Sequence, residues 1–199
     1  MTASTRDELL AAATQLFAEK GFYGASIATI ARELGLTKQA LLHHFRSKEK
    51  LYGEVLKDVS GAILARSQDI LGRIPDPRAQ LEELVIAQYA LQVEEQNGAR
   101  LIMRELLDNE RRAEKAGNWY LKPYLDALVD TAQRIDGLDG DRARALAIVY
   151  QLLGAAHYFA VSQPTLANMF GEETFAATRV CFEEELRRLV RSRLGSPAP

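Results

Sequence analysis

The 199-residue chain has one cysteine, Cys181, so an intramolecular disulfide is excluded. With no CxxC pair and no other zinc-ligand spacing, a structural metal is excluded as well. Such sparing use of cysteine fits a reducing cytoplasm. The sequence also lacks a glycine-rich phosphate loop, a GxSxG elbow and an HExxH pair, and no histidine stands near Cys181 to activate it. No catalytic role and no cofactor are therefore expected. No segment alternates apolar and polar residues between hairpin turns, which argues against a sheet. The opening MTASTRDELL has neither the basic start nor the apolar core of a secretion signal, so a cytoplasmic location is expected. Long apolar runs are scarce: the uncharged stretch 145–161 has 17 residues and is interrupted by Gln151 and His157. That is marginal for crossing a bilayer and reads better as a helix buried on most sides, with no membrane partner.

What is present is a core's worth of apolar residues, 47% of the chain, and a net charge of −2. The charge is unevenly divided. Residues 1–50 carry seven Lys/Arg against five Asp/Glu, for +2, while the remaining 149 carry 18 against 22, for −4. A small basic surface on an acidic body orients a protein on phosphates rather than coating it in them.

The most informative stretch is 26–45, SIATIARELGLTKQALLHHF. Ile27, Ile30, Ala31 and Leu34 recur at i, i+3, i+4 and i+7 as one apolar face, with Ser26 placed to cap its start. Gly35 ends that helix in a left-handed conformation that costs glycine nothing. Thr37 caps a second short helix, Lys38 to His44. Two short helices joined at a steep angle by three residues read as a helix-turn-helix.

The rest of the chain is also helical. A first helix begins at Thr5, buries Leu9, Leu10, Ala13, Leu16 and Phe17, and stops at Gly21. With the helix-turn-helix it encloses a core around Phe17, Ile30, Leu34 and Phe45. Ser47 caps a long fourth helix running to about Gly72. Asp76 and Pro77 open a fifth that ends near Gly98, and a sixth spans Ala99 to Asp108. The polar run Asn109 to Gly117 reads as a loop. A seventh helix from Asn118 to about Ile135 has its first turns distorted by Pro123, and Gly137, Asp139 and Gly140 mark the next break. The eighth covers Asp141 to Val161, ended by Pro164. The ninth covers Glu172 to Leu194, with Phe175, Phe182, Leu186, Leu189 and Val190 as a coiled-coil-like stripe.

A helix-turn-helix placed second and third, followed by Phe45-Arg46-Ser47-Lys48-Glu49-Lys50-Leu51 opening a long helix, resembles the TetR/AcrR family of bacterial transcriptional regulators. The resemblance covers about residues 5–60: Ala12, Phe17, Gly21-Phe22, Ser26-Ile27, Ile30-Ala31, Gly35-Leu36-Thr37-Lys38, Phe45 and Ser47-Lys48-Glu49. Beyond it only the helical layout matches. It implies an all-α protein of about nine helices, with a DNA-binding domain over residues 1–50 and an effector-binding and dimerisation domain over 51–199. The candidate DNA contacts are Ser26, Thr37, Lys38, Gln39, Ala40, His43, His44 and Lys48. Gln39 suits adenine N6 and N7, Lys38 a guanine or a phosphate, the Ala40 methyl a thymine methyl, and Lys48 at a helix start a phosphate. Leu42 stands where most members carry a phosphate-binding tyrosine, so that contact is lost or passes to His43, His44 or Lys48. Arg46, Lys48 and Lys50 form a basic group beside the reading helix.

The resemblance further implies a homodimer through the last two helices, a palindromic operator in double-stranded DNA, release by a small-molecule effector, and repression. Polar groups mixed with aromatics nominate an effector pocket: Gln88, Tyr89, Met103, Arg104, Trp119, Tyr120, Tyr124, Tyr150 and His157. Arg104 suits an anionic ligand, though Glu105 could equally satisfy it. The alternative readings are an architectural DNA binder without an effector and a helical interaction module.

Overall fold

A computed structural model describes residues 5–107, 120–138 and 140–194. Among the described residues there are nine helices and no strand: α1 (Thr5–Gly24), α2 (Ile27–Glu33), α3 (Lys38–Phe45), α4 (Lys48–Arg73), α5 (Pro77–Glu94), α6 (Gln96–Leu107), α7 (Lys122–Ala132), α8 (Arg142–Phe170) and α9 (Glu172–Leu194). The chain divides into two compact units, one of residues 1–62 with 97–120, the other of 63–96 with 121–199.

The first unit, the head, is built on Leu9, Ala13 and Phe17 of α1, Ile27 and Ile30 of α2, Leu41 and Phe45 of α3, Leu51, Tyr52 and Val55 of α4, and Leu101 of α6. Phe17 is wholly buried and meets the edge of Tyr52 with ring centroids 4.7 Å apart. Of the four expected core residues, Phe17, Ile30 and Phe45 are buried, whereas Leu34 packs only partly against them. Gly21 breaks α1 as expected, with φ 69° and ψ 172°, although one further turn follows to Gly24. The last carbonyls of α1 find their partner in a distant side chain: Arg104 on α6 donates from Nε to Ala18 O and from Nη2 to Glu19 O, each at 2.7 Å. The carbonyls just before the Gly21 break thus gain a guanidinium as partner. Next to it, the Tyr52 hydroxyl donates to the Glu105 carboxylate at 2.5 Å, deep in the head.

In the second unit, the body, α5 packs against α7, α8 and α9. Its buried stripe is Leu81, Leu84, Val85, Gln88, Tyr89 and Gln92, the i, i+3, i+4, i+7 pattern of a core-facing helix with two glutamines placed in it. Phe159 of α8 stacks on Phe182 of α9 with centroids 3.8 Å apart. At the side, Arg187 pairs with Glu82 (3.2 Å), Glu83 (2.6 Å) and Glu183 (3.1 Å), and Arg191 with Glu82 (2.7 Å). Hydrogen bonds from Arg191 and Arg187 hold the Glu82 carboxyl below the usual carboxylate range.

Several boundaries differ from expectation. The break between α5 and α6 falls at Glu95 (φ −110°, ψ 64°), not at Gly98; Gly98 lies buried in the first turns of α6. Pro123 occupies the first turn of α7 without distorting it, because a missing N–H is harmless there. Pro164 does not end α8, which continues to Phe170 and stops at Gly171 (φ 83°). The proline removes one N–H, but Phe159, Ala160 and Gln163 around it are buried, and packing outweighs the one lost bond. This length makes α8 apolar and long enough to cross a membrane by composition alone; Ala145, Val149, Leu152, Ala156 and Ala160 along it are instead nearly fully buried. The expected loop at 109–117, the start of a helix at Asn118 and the break at Asp139 lie outside the described residues.

Candidate nucleic-acid interface

The reading helix is positioned by two caps and one glycine. Ser26 Oγ accepts from Thr29 N at 3.0 Å and Thr37 Oγ1 accepts from Ala40 N at 3.1 Å, each satisfying an orphan amide at a helix start. Between them Gly35 takes φ 66°, where a side chain would be strained. Leu41 and Phe45 fasten the inner face of α3 to the head core. Lys38, Gln39, His43 and His44 are left exposed, Ser26 and Thr37 are exposed at the two caps, and Ala40 is half-buried. A protruding helix held from behind, with amide, ammonium and imidazole groups outward, has the chemistry to address base edges and phosphates.

Leu42 packs partly against the head core, so its methyls serve the head itself. Lys48 is half-buried, with its ammonium 4.3 Å from the centre of the Phe22 ring. Desolvation there lowers its pKa.

The residues expected to form an effector pocket are divided between the two units. Met103, Arg104 and Tyr120 belong to the head. Both Arg104 contacts described above go to the end of α1, and Tyr120 places its hydroxyl 3.3 Å from where a side chain on Gly53 would begin. Trp119 lies outside the described residues. Tyr150, on α8, is 51% exposed. Gln88, Tyr89, Tyr124 and His157 do share the body, on α5, α7 and α8. Tyr124 donates to Leu84 O at 3.4 Å, and its full burial drives its pKa far above the ordinary phenol value.

His157 has the most determinate chemistry of this group. Its Nδ1 lies 3.0 Å from Leu153 O; a carbonyl only accepts, so Nδ1 carries the proton. Burial lowers the pKa of the ring, which keeps it neutral and makes Nε2 an acceptor. Gln92 Nε2 lies 2.6 Å from it and donates. Gln92 Oε1 then has no partner among the described residues, and neither do Gln88 Oε1 or Gln163 Nε2, all buried. By contrast, Gln80 on the same helix is fully used, donating to Leu71 O and Ile74 O and accepting from Arg134. Sequence reading missed Gln92 and Gln163; the signal for Gln92 was an amide at i+4 from Gln88, inside an otherwise apolar stripe.

Residues 9–55 match the model of bacterial regulatory proteins of the tetR family. Over 87 residues the chain is 38% identical to the transcriptional repressor KstR2 of Mycolicibacterium smegmatis, an alignment that covers 44% of this chain and 42% of the repressor. It is 29% identical over 143 residues to the transcriptional activator FasR of the same organism, covering 72% of this chain and 65% of the activator. The chain therefore aligns with less than two thirds of either relative's length. In fold it is similar to the regulator FadR of Bacillus subtilis in complex with stearoyl-CoA, with a TM-score of 0.71 at 17% identity over 94% of this chain and 97% of that one. The family match lies on the head that presents α3, the 143-residue likeness is too long to be confined to that head, and the fold agrees nearly end to end. Over residues 9–55 the chain carries the N-terminal domain of the tetR family of bacterial regulatory proteins.

Proposed function

We propose that the protein is an effector-responsive repressor that binds a palindromic operator in double-stranded DNA as a homodimer. The observation that carries this reading is the exposure of Lys38, Gln39, His43 and His44 on a helix anchored from behind by Leu41 and Phe45. One short helix reads only a few base pairs, so specificity calls for two copies about one turn of DNA apart, or a multiple of it. A second copy has an apolar surface to meet: Leu146, Tyr150 and Tyr158 recur on α8 at spacings of four and eight, exposed by 43%, 51% and 72%, and a Cβ added at Gly154 in the same row would meet nothing within 4 Å. On α9, Val180 and Leu189 are also exposed. A two-fold axis along these helices supplies a four-helix interface.

The effector site belongs to the body. Its buried aromatics and aliphatics with orphaned acceptors on Gln88 and Gln92 and an orphaned donor on Gln163 suit a mainly apolar molecule carrying a few hydrogen-bonding groups. The FadR structure holds stearoyl-CoA, of which the acyl chain is an apolar part of that kind. Such an effector lowers operator affinity only by its differential affinity for the dimer form whose heads are wrongly spaced. This role is non-enzymatic and cytoplasmic. Since one relative is a repressor and another an activator, the choice of repression rests on simple occupancy of the operator. Selection of bound sequences from random duplex DNA tests the reading: an inverted repeat supports it, and unselective recovery counts against it.

A further inference from the structure

The junction between α3 and α4 is unusually tight. Arg46 has φ 62° and ψ −40°, and is the one non-glycine residue with positive φ among the described residues. Across it, Ser47 N donates to Phe45 O at 2.7 Å. An i to i+2 bond closed over a positive φ is a γ-turn of the rare, strained kind, distinct from the common inverse form. Glycine relieves that strain, yet arginine occupies the position. The side chain is exposed, and no hydrogen bond or ion pair with a described residue holds its guanidinium. Two cations of the head are engaged elsewhere: Lys48 over Phe22, and Arg6 on Glu54 at 2.6 Å. Residues 38–50 carry four cations against one acid, Glu49, so the strained residue stands in a basic surface directly after the reading helix.

We propose that Arg46 is a DNA-backbone contact, its guanidinium taking a phosphate oxygen pair beside the groove occupied by α3. Leu42, one turn earlier, has no polar group and faces partly into the head core, so the side chain at the γ-turn supplies the anchor at this end of α3. The reversal of the chain at Arg46 sits at the end of α3, where its side chain is exposed. The proposal rests on the duplex-binding reading above.

The test uses the full chain and the duplex recovered by selection, with affinity measured against salt by fluorescence anisotropy and stability by thermal melting. Arg46→Gly removes strain and charge together. It is expected to melt higher than wild type yet bind about tenfold or more weaker per protomer, with the slope of log K against log salt reduced by about 0.9 for each phosphate lost. Arg46→Gln keeps the strained backbone and loses the charge, so it melts like wild type and binds as weakly as the glycine variant. Arg46→Lys restores most of the affinity and the salt slope. The loss is uniform across operator sequences, as befits a backbone contact. Glycine or glutamine variants with wild-type affinity and salt slope overturn the proposal, as does a glycine variant that melts lower than wild type. Failure of wild type itself to bind any duplex is a different result, and sinks the duplex-binding reading instead.

Discussion

The Gln92–His157 pair gives a stability prediction that can be worked through from its geometry. Gln92 is 2% exposed, donates to His157 Nε2 at 2.6 Å and already has an unpartnered Oε1. His157→Leu strands the whole amide in the body's core, and a buried polar group left unpaired costs about 1–3 kcal/mol. Adding Gln92→Met removes the stranded amide and returns most of that loss, because two apolar groups of similar volume replace a matched polar pair. The double-mutant cycle is therefore expected to show an interaction of about 1–2 kcal/mol, well outside the ~0.5 kcal/mol within which independent sites add. In a chain of this size each kcal/mol moves Tm by about 2–4 °C, which circular dichroism resolves. The pair also predicts a pH signature. Burial lowers the His157 pKa from 6.5, so the folded state resists the proton that the unfolded chain accepts. Stability from this source is complete above pH 6.5 and declines as pH falls toward the folded-state pKa. Wild type should lose more stability than the double variant between pH 8 and pH 5. Additive single changes, or identical acid dependence in wild type and double variant, refute the tautomer and the burial on which this rests.

Three further outcomes are expected. Phe17→Ala empties a wholly buried site edged by Tyr52, costs about 3–5 kcal/mol, and renders the head sensitive to limited proteolysis with loss of duplex binding. Arg104→Ala strips two hydrogen bonds from the carbonyls ending α1 and costs about 1–2 kcal/mol, while Arg104→Lys recovers little because a single ammonium does not span both carbonyls; denaturant titration measures both. Glu82→Gln lowers Tm by about 1–4 °C at pH 7. Its depressed carboxyl pKa means that this contribution is present above about pH 4.5 and fades as pH falls below it, so wild type and variant should melt apart at pH 7 and together in acid.

How much was legible in the sequence depended on whether local rules decided the outcome. The caps at Ser26, Thr37, Ser47 and Asp76, and the reversal at Gly35, follow from side chains acting within three residues of themselves, and α9 begins and ends where expected. The exposed face of α3 was legible because its period alone separates Leu41 and Phe45 from their polar neighbours. Tertiary packing decided the rest. Pro164 should stop a helix by its own chemistry, yet buried neighbours carry α8 through it. Gly98 is read as a break by its missing side chain, yet it lies buried inside α6. Arg104 looked like a ligand anchor because a sequence cannot show carbonyls 85 residues away at the end of α1. The orphaned glutamines were hidden for the opposite reason: an amide on an apolar stripe looks the same whether it is paired, as Gln80 is, or unpaired, as Gln88 is.

The central claim is that α3 reads bases, and Gln39 tests it most directly. Fluorescence anisotropy at fixed salt, on the selected duplex and on duplexes changed at one base pair per half-site, compares wild type with Gln39→Ala. If α3 lies in the major groove, one position loses about 1–3 kcal/mol of discrimination in the variant while the preference at the others is kept. A variant that discriminates at every position as wild type does, or a wild type that binds all duplexes alike, contradicts the account.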